Sequence, residues 1–259
     1  MTRCAFLEWP EGLLPTSTAW DALRRQVVAA QADILITNEM PFGDWLPSAE
    51  RLDRAAASKW IEQHDAGLAA LSALGVPAVI SSRPAWSGDR LVNEAFVLEG
   101  GKVRALHRKQ FFPNEAGWYE ANWFMADDSG FVLHDVAGLK TGVLLCTELM
   151  FNEYARHYGR AGADLIVVPR ATGHDDHQWL TAGAMAAIVS GSYVISSNRV
   201  GRSAASPGFG GHGFACGPDG QILAKTSAEH PLMVIEVDAK MARRQKAEYP
   251  CYVIDKTDR

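Results

Sequence analysis

Short hydrophobic runs alternate with amphipathic segments along the whole chain. Runs of apolar and β-branched residues bounded by turn residues are typical of buried strands, whereas apolar positions three or four residues apart are typical of helices. The predicted strands cover residues 4–9, 34–37, 77–82, 93–98, 103–107, 130–136, 140–145, 164–168, 193–197, 222–225 and 232–237, with a short one near 214. The predicted helices cover residues 19–32, an interrupted segment within 48–75, a stretch after 146, and 179–191, before a polar tail.

Two types of connection between these strands are visible in the sequence. Residues 99–102, with two glycines, and the pair Ala137-Gly138 predict tight hairpins. Elsewhere a helical pattern separates successive strands, as in parallel βαβ units. No linker, charge block or low-complexity segment divides the chain. We therefore expect one α/β domain over residues 1–259, with mixed sheets covered by helices.

The composition excludes several classes of partner. The 259 residues carry a formal net charge of −5, with 47% hydrophobic and 21% charged residues. The basic residues are scattered, so neither a nucleic-acid groove nor an anionic membrane is indicated. No apolar run approaches the roughly 20 residues that a membrane span needs, and Glu8, Pro10 and Glu11 interrupt the N-terminal apolar run. We expect a cytoplasmic protein.

Neither the cysteines nor the histidines form a recognised metal motif. Cys4, Cys146, Cys216 and Cys251 are far apart, without a CxxC pair, and we expect no metal and no disulfide framework. The segment His174–His177, HDDH, has ligand residue types, but its spacing favours a solvated helix start. The glycine-rich loop at 201–213 lacks the lysine of a phosphate-binding loop and is predicted to be an ordinary loop.

Cys146 stands where a hydrophobic run ends and a helical pattern begins. The run ends in Val143, Leu144 and Leu145, and the pattern that follows stops at Gly162. The cysteine therefore lies on a strand-to-helix turn of a βαβ unit. Backbone N–H groups at such a turn stabilise a thiolate or an oxyanion. The alternative is a small buried hydrophobic residue.

Two further residues of catalytic type follow predicted strands. Glu39 comes just after the strand at 34–37, and Lys109 ends the second strand of the first hairpin. Ligand sites of α/β sheets collect at the carboxyl ends of strands, so both side chains are candidates to meet Cys146. On position alone, Glu39 could equally cap a turn and Lys109 could be a solvated cation.

Three segments, ILITNEMPFGDW, VRALHRKQFFPNEAGWYE and GVLLCTELMF, occur in the order of the nitrilase superfamily of carbon–nitrogen hydrolases, which the chain resembles over nearly its whole length. AGADLIVVP, YVISSNRVG and GHGFACGPDGQILAK are similar to later family segments. The resemblance implies a four-layer α-β-β-α sandwich and a homodimer or higher homo-oligomer. It also implies a Glu39-Lys109-Cys146 triad without metal or cofactor, and it places Glu115 near a second family glutamate.

The implied chemistry is acyl transfer to a thiol. Cys146 attacks the carbonyl or nitrile carbon, Glu39 accepts its proton, and Lys109 stabilises the oxyanion together with the backbone N–H that follows Cys146. Glu115 is expected to hydrogen-bond Lys109 or the substrate amide. Water then hydrolyses the thioester with Glu39 as base.

The substrate is less constrained by the sequence. Family nitrilases usually carry Trp after the cysteine; Thr147 therefore favours an amide or N-carbamoyl substrate, while Glu148 keeps a small nitrile as an alternative. Arg170, after the strand at 164–168, could hold a substrate carboxylate or form a structural ion pair. Trp118 could line the pocket or belong to the core or a dimer interface. A catalytically silent binding relative and a redox-active cysteine protein are the alternatives from other classes.

Overall fold

The chain forms a continuous path of strands with helices on its outer faces. The computed structural model describes residues 1–204 and 206–254. The strands within them are β1 Thr2–Pro10, β2 Ile34–Ile36, β3 Ala78–Ser87, β4 Arg90–Glu99, β5 Lys102–Arg108, β6 His134–Val136, β7 Leu139–Val143, β8 Leu165–Arg170, β9 Tyr193–Gly201, β10 Phe209–Gly210, β11 Phe214–Cys216, β12 Ile222–Lys225 and β13 Leu232–Val237. The helices are α1 Thr18–Ala30, α2 Arg54–Ser72, α3 Glu120–Trp123, α4 Asn152–Arg160, α5 His177–Ser190 and α6 Ala239–Gln245.

The strand order is β5-β4-β3-β2-β1-β9-β8-β7-β6. The inner pairs β1–β2, β2–β3, β1–β9, β8–β9 and β7–β8 are parallel. The outer pairs β3–β4, β4–β5 and β6–β7 are antiparallel. Both predicted hairpins are therefore present, and the sheets are mixed, as the alternation of connections indicated. Strand β1 belongs to both halves, because it pairs with β2 on one side and with β9 on the other.

Three apolar clusters define four layers. The central cluster joins residues of both half-sheets, such as Ile36 and Val97 from the first half and Val143 and Ile195 from the second. A second cluster lies between α1, α2 and the first half-sheet. A third lies between α4, α5 and the second half-sheet. The predicted α-β-β-α sandwich is confirmed, and the inner strands β2 and β8 are buried along their whole length.

Local signals set the helix boundaries. The Ser17 hydroxyl accepts from the backbone N–H of Trp20 at the start of α1, and the Asp53 carboxylate caps α2 through two backbone N–H groups. Because Asp53 caps α2, this helix begins only at Arg54, and a separate 3₁₀ turn at Leu46–Ser48 precedes it. The helical pattern at 48–75 is therefore interrupted. The C-terminal helix α6 was missed by the sequence analysis, which predicted a polar tail there; only Ala242 of α6 is fully buried.

No helix within residues 1–204 and 206–254 has both the length and the apolar character that crossing a membrane requires.

Candidate active site

A buried ammonium group, that of Lys109, lies between two buried carboxylates. Its Nζ donates to Glu39 Oε1 at 2.8 Å and to Glu120 Oε2 at 2.6 Å. Burial by itself would lower the pKa of Lys109, but the negative charges of Glu120 and Glu39 outweigh burial and raise it. Lys109 therefore stays positively charged over the whole neutral pH range.

Strands of both half-sheets hold this group in place. Glu39 follows β2, and its backbone N–H donates to the carbonyl of Arg170 at 3.2 Å. Lys109 follows β5, and its backbone N–H donates to the carbonyl of Asn93 on β4 at 2.9 Å. The Asn93 side chain also donates to Glu39 Oε1 at 2.7 Å. One residue of β4 thus fixes both the backbone of Lys109 and the carboxylate of Glu39.

The glutamate that contacts Lys109 beside Glu39 is Glu120, whereas Glu115 had been expected in this position. Glu115 is exposed, and its backbone pairs with Trp118 in a tight turn. That turn leads into α3, whose first residue, Glu120, is fully buried against Lys109. Burial raises the pKa of Glu120 to about 7, although the charge of Lys109 lowers it. Sequence spacing alone does not separate two glutamates five positions apart.

Cys146 faces the same group from the second half-sheet. Cys146 follows β7. Its backbone φ of 49° lies in the left-handed region, which costs a non-glycine residue about 1–2 kcal/mol. The Sγ atom lies 4.0 Å from the carbonyl oxygen of Ala171. Burial raises the pKa of the thiol, the charge of Glu39 raises it further, and Lys109 opposes both. These effects favour the neutral thiol form of Cys146.

The turn after Cys146 differs from the single helix that the sequence predicted. A five-residue 3₁₀ helix, Cys146–Met150, comes first, and α4 begins only at Asn152. The helix N-terminus that was expected to stabilise a thiolate is thus not that of a long α-helix.

Glu148 connects the 3₁₀ helix Cys146–Met150 to the backbone beside Lys109. Its carboxylate accepts from the backbone N–H of Leu145 at 2.7 Å and from that of Gln110 at 2.7 Å. These two residues directly precede Cys146 and directly follow Lys109. The same carboxylate contacts His107 Nε2 at 2.9 Å, and both side chains are almost fully buried. One side chain therefore sets the relative position of two backbones from opposite half-sheets.

A cavity of about 360 Å³ opens beside these groups. The residues that line it are Pro113, Glu115, Trp118, Glu120, Cys146, Thr147, Ala171, Thr172, Gly173, His174, Asp175, Gln178 and Trp179. Thr147 and Trp118, both predicted substrate contacts, are among them. Thr172, Gln178 and Trp179 were not singled out by the sequence, because nothing in their spacing distinguishes them from other residues after a strand.

Arg170 does not reach this cavity, which corrects its assignment as a carboxylate ligand. Its side chain is fully buried. The Cζ atom lies 5.2 Å from the ring centroid of Trp179 and 5.0 Å from that of Phe214. Its N–H groups donate to Ser196 Oγ, Thr172 Oγ1 and the carbonyl of His212 at 2.6, 3.0 and 2.8 Å. Burial lowers the pKa of Arg170 to about 10, so it remains charged at neutral pH.

The segment 174–177 forms the start of a helix, as its composition indicated. Asp175 Oδ1 accepts from the backbone N–H of His177, the first residue of α5. Asp176 instead contacts Lys225 and His212 at 2.8 and 3.0 Å. Within the described part of the chain, no three His, Cys, Asp or Glu residues are grouped so that they could hold a metal ion.

Comparison with known proteins agrees with this architecture. The family described as carbon-nitrogen hydrolase matches residues 45–247. The chain therefore belongs to the carbon-nitrogen hydrolase family. The fold itself matches a crystal structure of a carbon-nitrogen hydrolase from Helicobacter pylori G27, with a TM-score of 0.87 at 22% identity, covering 99% of this chain and 96% of that one.

The curated relatives differ in how much of their length is matched. The chain is 25% identical over 254 residues to N-carbamoylputrescine amidase of Arabidopsis thaliana, covering 89% of this chain and 84% of that protein. It is 31% identical over 176 residues to a glutamine-dependent NAD(+) synthetase of Xanthomonas campestris pv. campestris (strain 8004), covering 66% of this chain. The match spans 31% of that synthetase.

Proposed function

We propose that the protein is an amidase or carbamoylase that hydrolyses the C–N bond of a small amide or N-carbamoyl compound through a thioester on Cys146. Ammonia or an amine leaves. The catalytic groups are Glu39, Lys109, Cys146 and, in place of Glu115, Glu120. Thr147 and Trp118 are proposed to contact the substrate.

The observation that carries this proposal is a pair of unused oxygen atoms. Each carboxylate beside Lys109 engages it through one oxygen, while Glu39 Oε2 and Glu120 Oε1 are buried without a hydrogen-bond partner. A buried acceptor that stays unpaired costs about 1–3 kcal/mol. Because Glu120 lines the cavity, an amide N–H of the substrate can pair with its free oxygen. A nitrile has no N–H, so the two free oxygens favour the amide over the nitrile alternative.

The reaction follows from the resting state of the thiol. Cys146 Sγ forms a bond to the acyl carbon while its proton passes to Glu39, whose free Oε2 is an available acceptor. The proton then moves to the departing nitrogen as the C–N bond breaks. Water attacks the thioester, giving its proton to Glu39, and the C–S bond breaks to restore the thiol.

Lys109 is suited to stabilise the oxyanion. An ammonium group has three N–H donors, and Glu39 and Glu120 occupy two of them. The third is available for the oxygen that becomes negative in the tetrahedral intermediate. The backbone N–H of Thr147 is the proposed second donor.

The test is ammonia release from matched amide and nitrile pairs, such as propionamide with propionitrile and butyramide with butyronitrile, together with N-carbamoyl-β-alanine. We expect turnover of amides or of the carbamoyl compound, and none in Cys146→Ala. Faster turnover of the nitriles would replace the amidase proposal by the nitrilase alternative. No turnover of any compound, with the fold intact, would favour the silent binding relative.

The remaining expectations stay predictions. These are a single hydrolase domain over residues 1–259, a cytoplasmic location and a homodimer or higher homo-oligomer. Sedimentation analysis of the purified chain measures the last of them directly.

A further inference from the structure

Thr172 lies on the wall of the cavity, close to Cys146 in the fold. Thr172 follows β8, lines the cavity and is 5% exposed. Its neighbour Ala171 supplies the carbonyl oxygen that lies 4.0 Å from the sulfur of Cys146. Thr172 is therefore the residue next to Ala171, whose carbonyl group lies beside the sulfur of Cys146.

Two donors point at this hydroxyl oxygen. Arg170 Nη1 lies 3.0 Å from Thr172 Oγ1, and Asn198 Nδ2 lies 3.0 Å from the same atom. A guanidinium group has no acceptor, so Arg170 can only donate. The direction of the first hydrogen bond is therefore fixed by chemistry alone.

The direction of the second is fixed by the backbone. Asn198 Oδ1 accepts from the backbone N–H groups of Thr172 and Arg199, each at 2.9 Å. Because both backbone N–H groups point at the same end of the Asn198 amide, that end must be the oxygen. The NH₂ group of Asn198 is then directed toward Thr172 Oγ1 and the carbonyl of Gly211. Asn198, like Arg170, is a donor to the hydroxyl.

A hydroxyl has two lone pairs and one hydrogen. Arg170 and Asn198 occupy both lone pairs of Thr172, and among the residues described no acceptor takes its hydrogen. We propose that this hydrogen is donated into the cavity. Thr172 is then a specificity-determining residue that binds a neutral oxygen acceptor, a carbonyl or a hydroxyl, on the acyl part of the substrate. The inference rests on the proposed amide hydrolysis and adds a substrate class to it.

The surrounding charges select a neutral acceptor over a carboxylate. Glu115 and Asp175 are exposed at the rim of the cavity, where their charges repel an anion. Arg170 does not touch the cavity and acts through Thr172: its positive charge polarises the hydroxyl and its N–H keeps the hydroxyl hydrogen directed away from the wall. Arg170 is therefore a positioning residue.

The experiment compares amides that differ by one oxygen atom. The pairs are lactamide with propionamide and 4-oxopentanamide with pentanamide, each assayed by ammonia release. Thr172→Val should lower kcat/KM for an oxygenated member about tenfold more than for the plain member of the same pair. Thr172→Ser, which keeps the hydroxyl, should retain the wild-type ratio. Thr181→Val, an exposed position on α5, is the control substitution.

The ratio of the two kcat/KM values within a pair does not depend on the fraction of enzyme that folds. The same ratio can therefore be used for Arg170→Lys, a substitution of a buried residue. Lysine cannot reproduce the planar set of donors by which Arg170 holds Ser196, Thr172 and the carbonyl of His212 together, so the oxygenated substrates should lose part of their advantage. In the double variant with Thr172→Val this loss should not add further. Equal losses for both members of each pair, or a wild-type preference for the plain amides, would overturn the inference.

Binding measurements separate this inference from the proposed function. In Cys146→Ala, calorimetric titration with the same four amides should give tighter binding of an oxygenated member, and Thr172→Val should abolish the difference. Absence of ammonia release from every amide in the wild type would refute the hydrolase proposal alone. Equal affinities within both pairs would refute the assignment of Thr172 whatever the turnover.

Discussion

Lys109 contacts Glu120 at 2.6 Å, whereas Glu115, five residues earlier, is exposed. The two glutamates thus have different chemistry although both line the cavity. Glu120 is held by a charge-assisted hydrogen bond to Lys109 and keeps its other oxygen, Oε1, buried without a hydrogen-bond partner. Glu115 adds only a negative charge at the rim.

Substitution separates these roles. Glu120→Gln removes the charge beside Lys109 and one of the acceptor oxygens, so we expect kcat/KM for amides to fall about 10- to 100-fold, as for loss of a charged hydrogen bond. Glu115→Gln is the matched control and should change kcat/KM for a neutral amide less than about threefold. Steady-state ammonia release measures both. A larger loss in Glu115→Gln would restore the original assignment.

The pH dependence of the reaction should report on the same carboxyl group. Burial raises the pKa of Glu120 to about 7, against the effect of Lys109. The carboxylate that accepts the amide N–H is therefore lost as the pH falls through about 7, and kcat/KM should decline by about tenfold per pH unit below it. In Glu120→Gln this decline should move to lower pH or vanish. An unchanged profile in the variant would assign the titration to another group.

Glu39 should affect turnover and thiol ionisation in opposite senses. Glu39→Gln removes the proposed base, so amide turnover should fall roughly 10²- to 10⁴-fold. The negative charge of Glu39 also raises the pKa of the Cys146 thiol. Its removal leaves Lys109 less opposed, and the pKa of Cys146 should fall.

The rate of iodoacetamide labelling as a function of pH, followed by peptide mass mapping, measures that pKa. Cys251, which is half-buried near the C-terminus, serves as the internal reference, and Cys4 and Cys216 are fully buried. A higher pKa for Cys146 in Glu39→Gln would contradict the electrostatic account.

Glu148 should matter for both stability and catalysis. Glu148→Gln places an NH₂ group where two backbone N–H groups and His107 now converge on carboxylate oxygens. Breaking such a buried set costs about 3 kcal/mol of unfolding free energy, and kcat should fall because Cys146 and Lys109 lose their common anchor. Urea denaturation and ammonia release measure the two effects. Glu153→Gln, exposed in the first turn of α4, should change neither.

The sequence was informative wherever a pattern had a single physical meaning. Hydrophobic runs ending in Glu39, Lys109 and Cys146 predicted strand ends, and strand ends meet at one edge of a sheet. Both hairpins were predicted for the same reason, since their turns carry glycine. The α-β-β-α layering came from the family resemblance, because periodicity does not say which faces pack together.

The sequence was misleading where a residue's role depends on the direction and burial of its side chain. Residues 109–119 have no periodicity, so nothing indicates that the chain turns Glu115 outward and Glu120 inward. Arg170 ends a strand that is buried on both faces, and its position in the sequence does not say on which side of the wall its side chain lies. The helix α6 was missed because one buried alanine among charged residues gives too weak an amphipathic signal.

The proposed catalytic groups come from both half-sheets, and this has a consequence for folding. Glu39, Lys109 and Glu120 follow elements of one half, and Cys146 follows β7 of the other. Neither half by itself carries an acid, a cation and a nucleophile. We therefore expect the proposed activity only in molecules in which both halves are ordered and the central apolar cluster is formed. In a refolding experiment, we expect ammonia release to recover no earlier than the packing between the halves, even where secondary structure forms sooner.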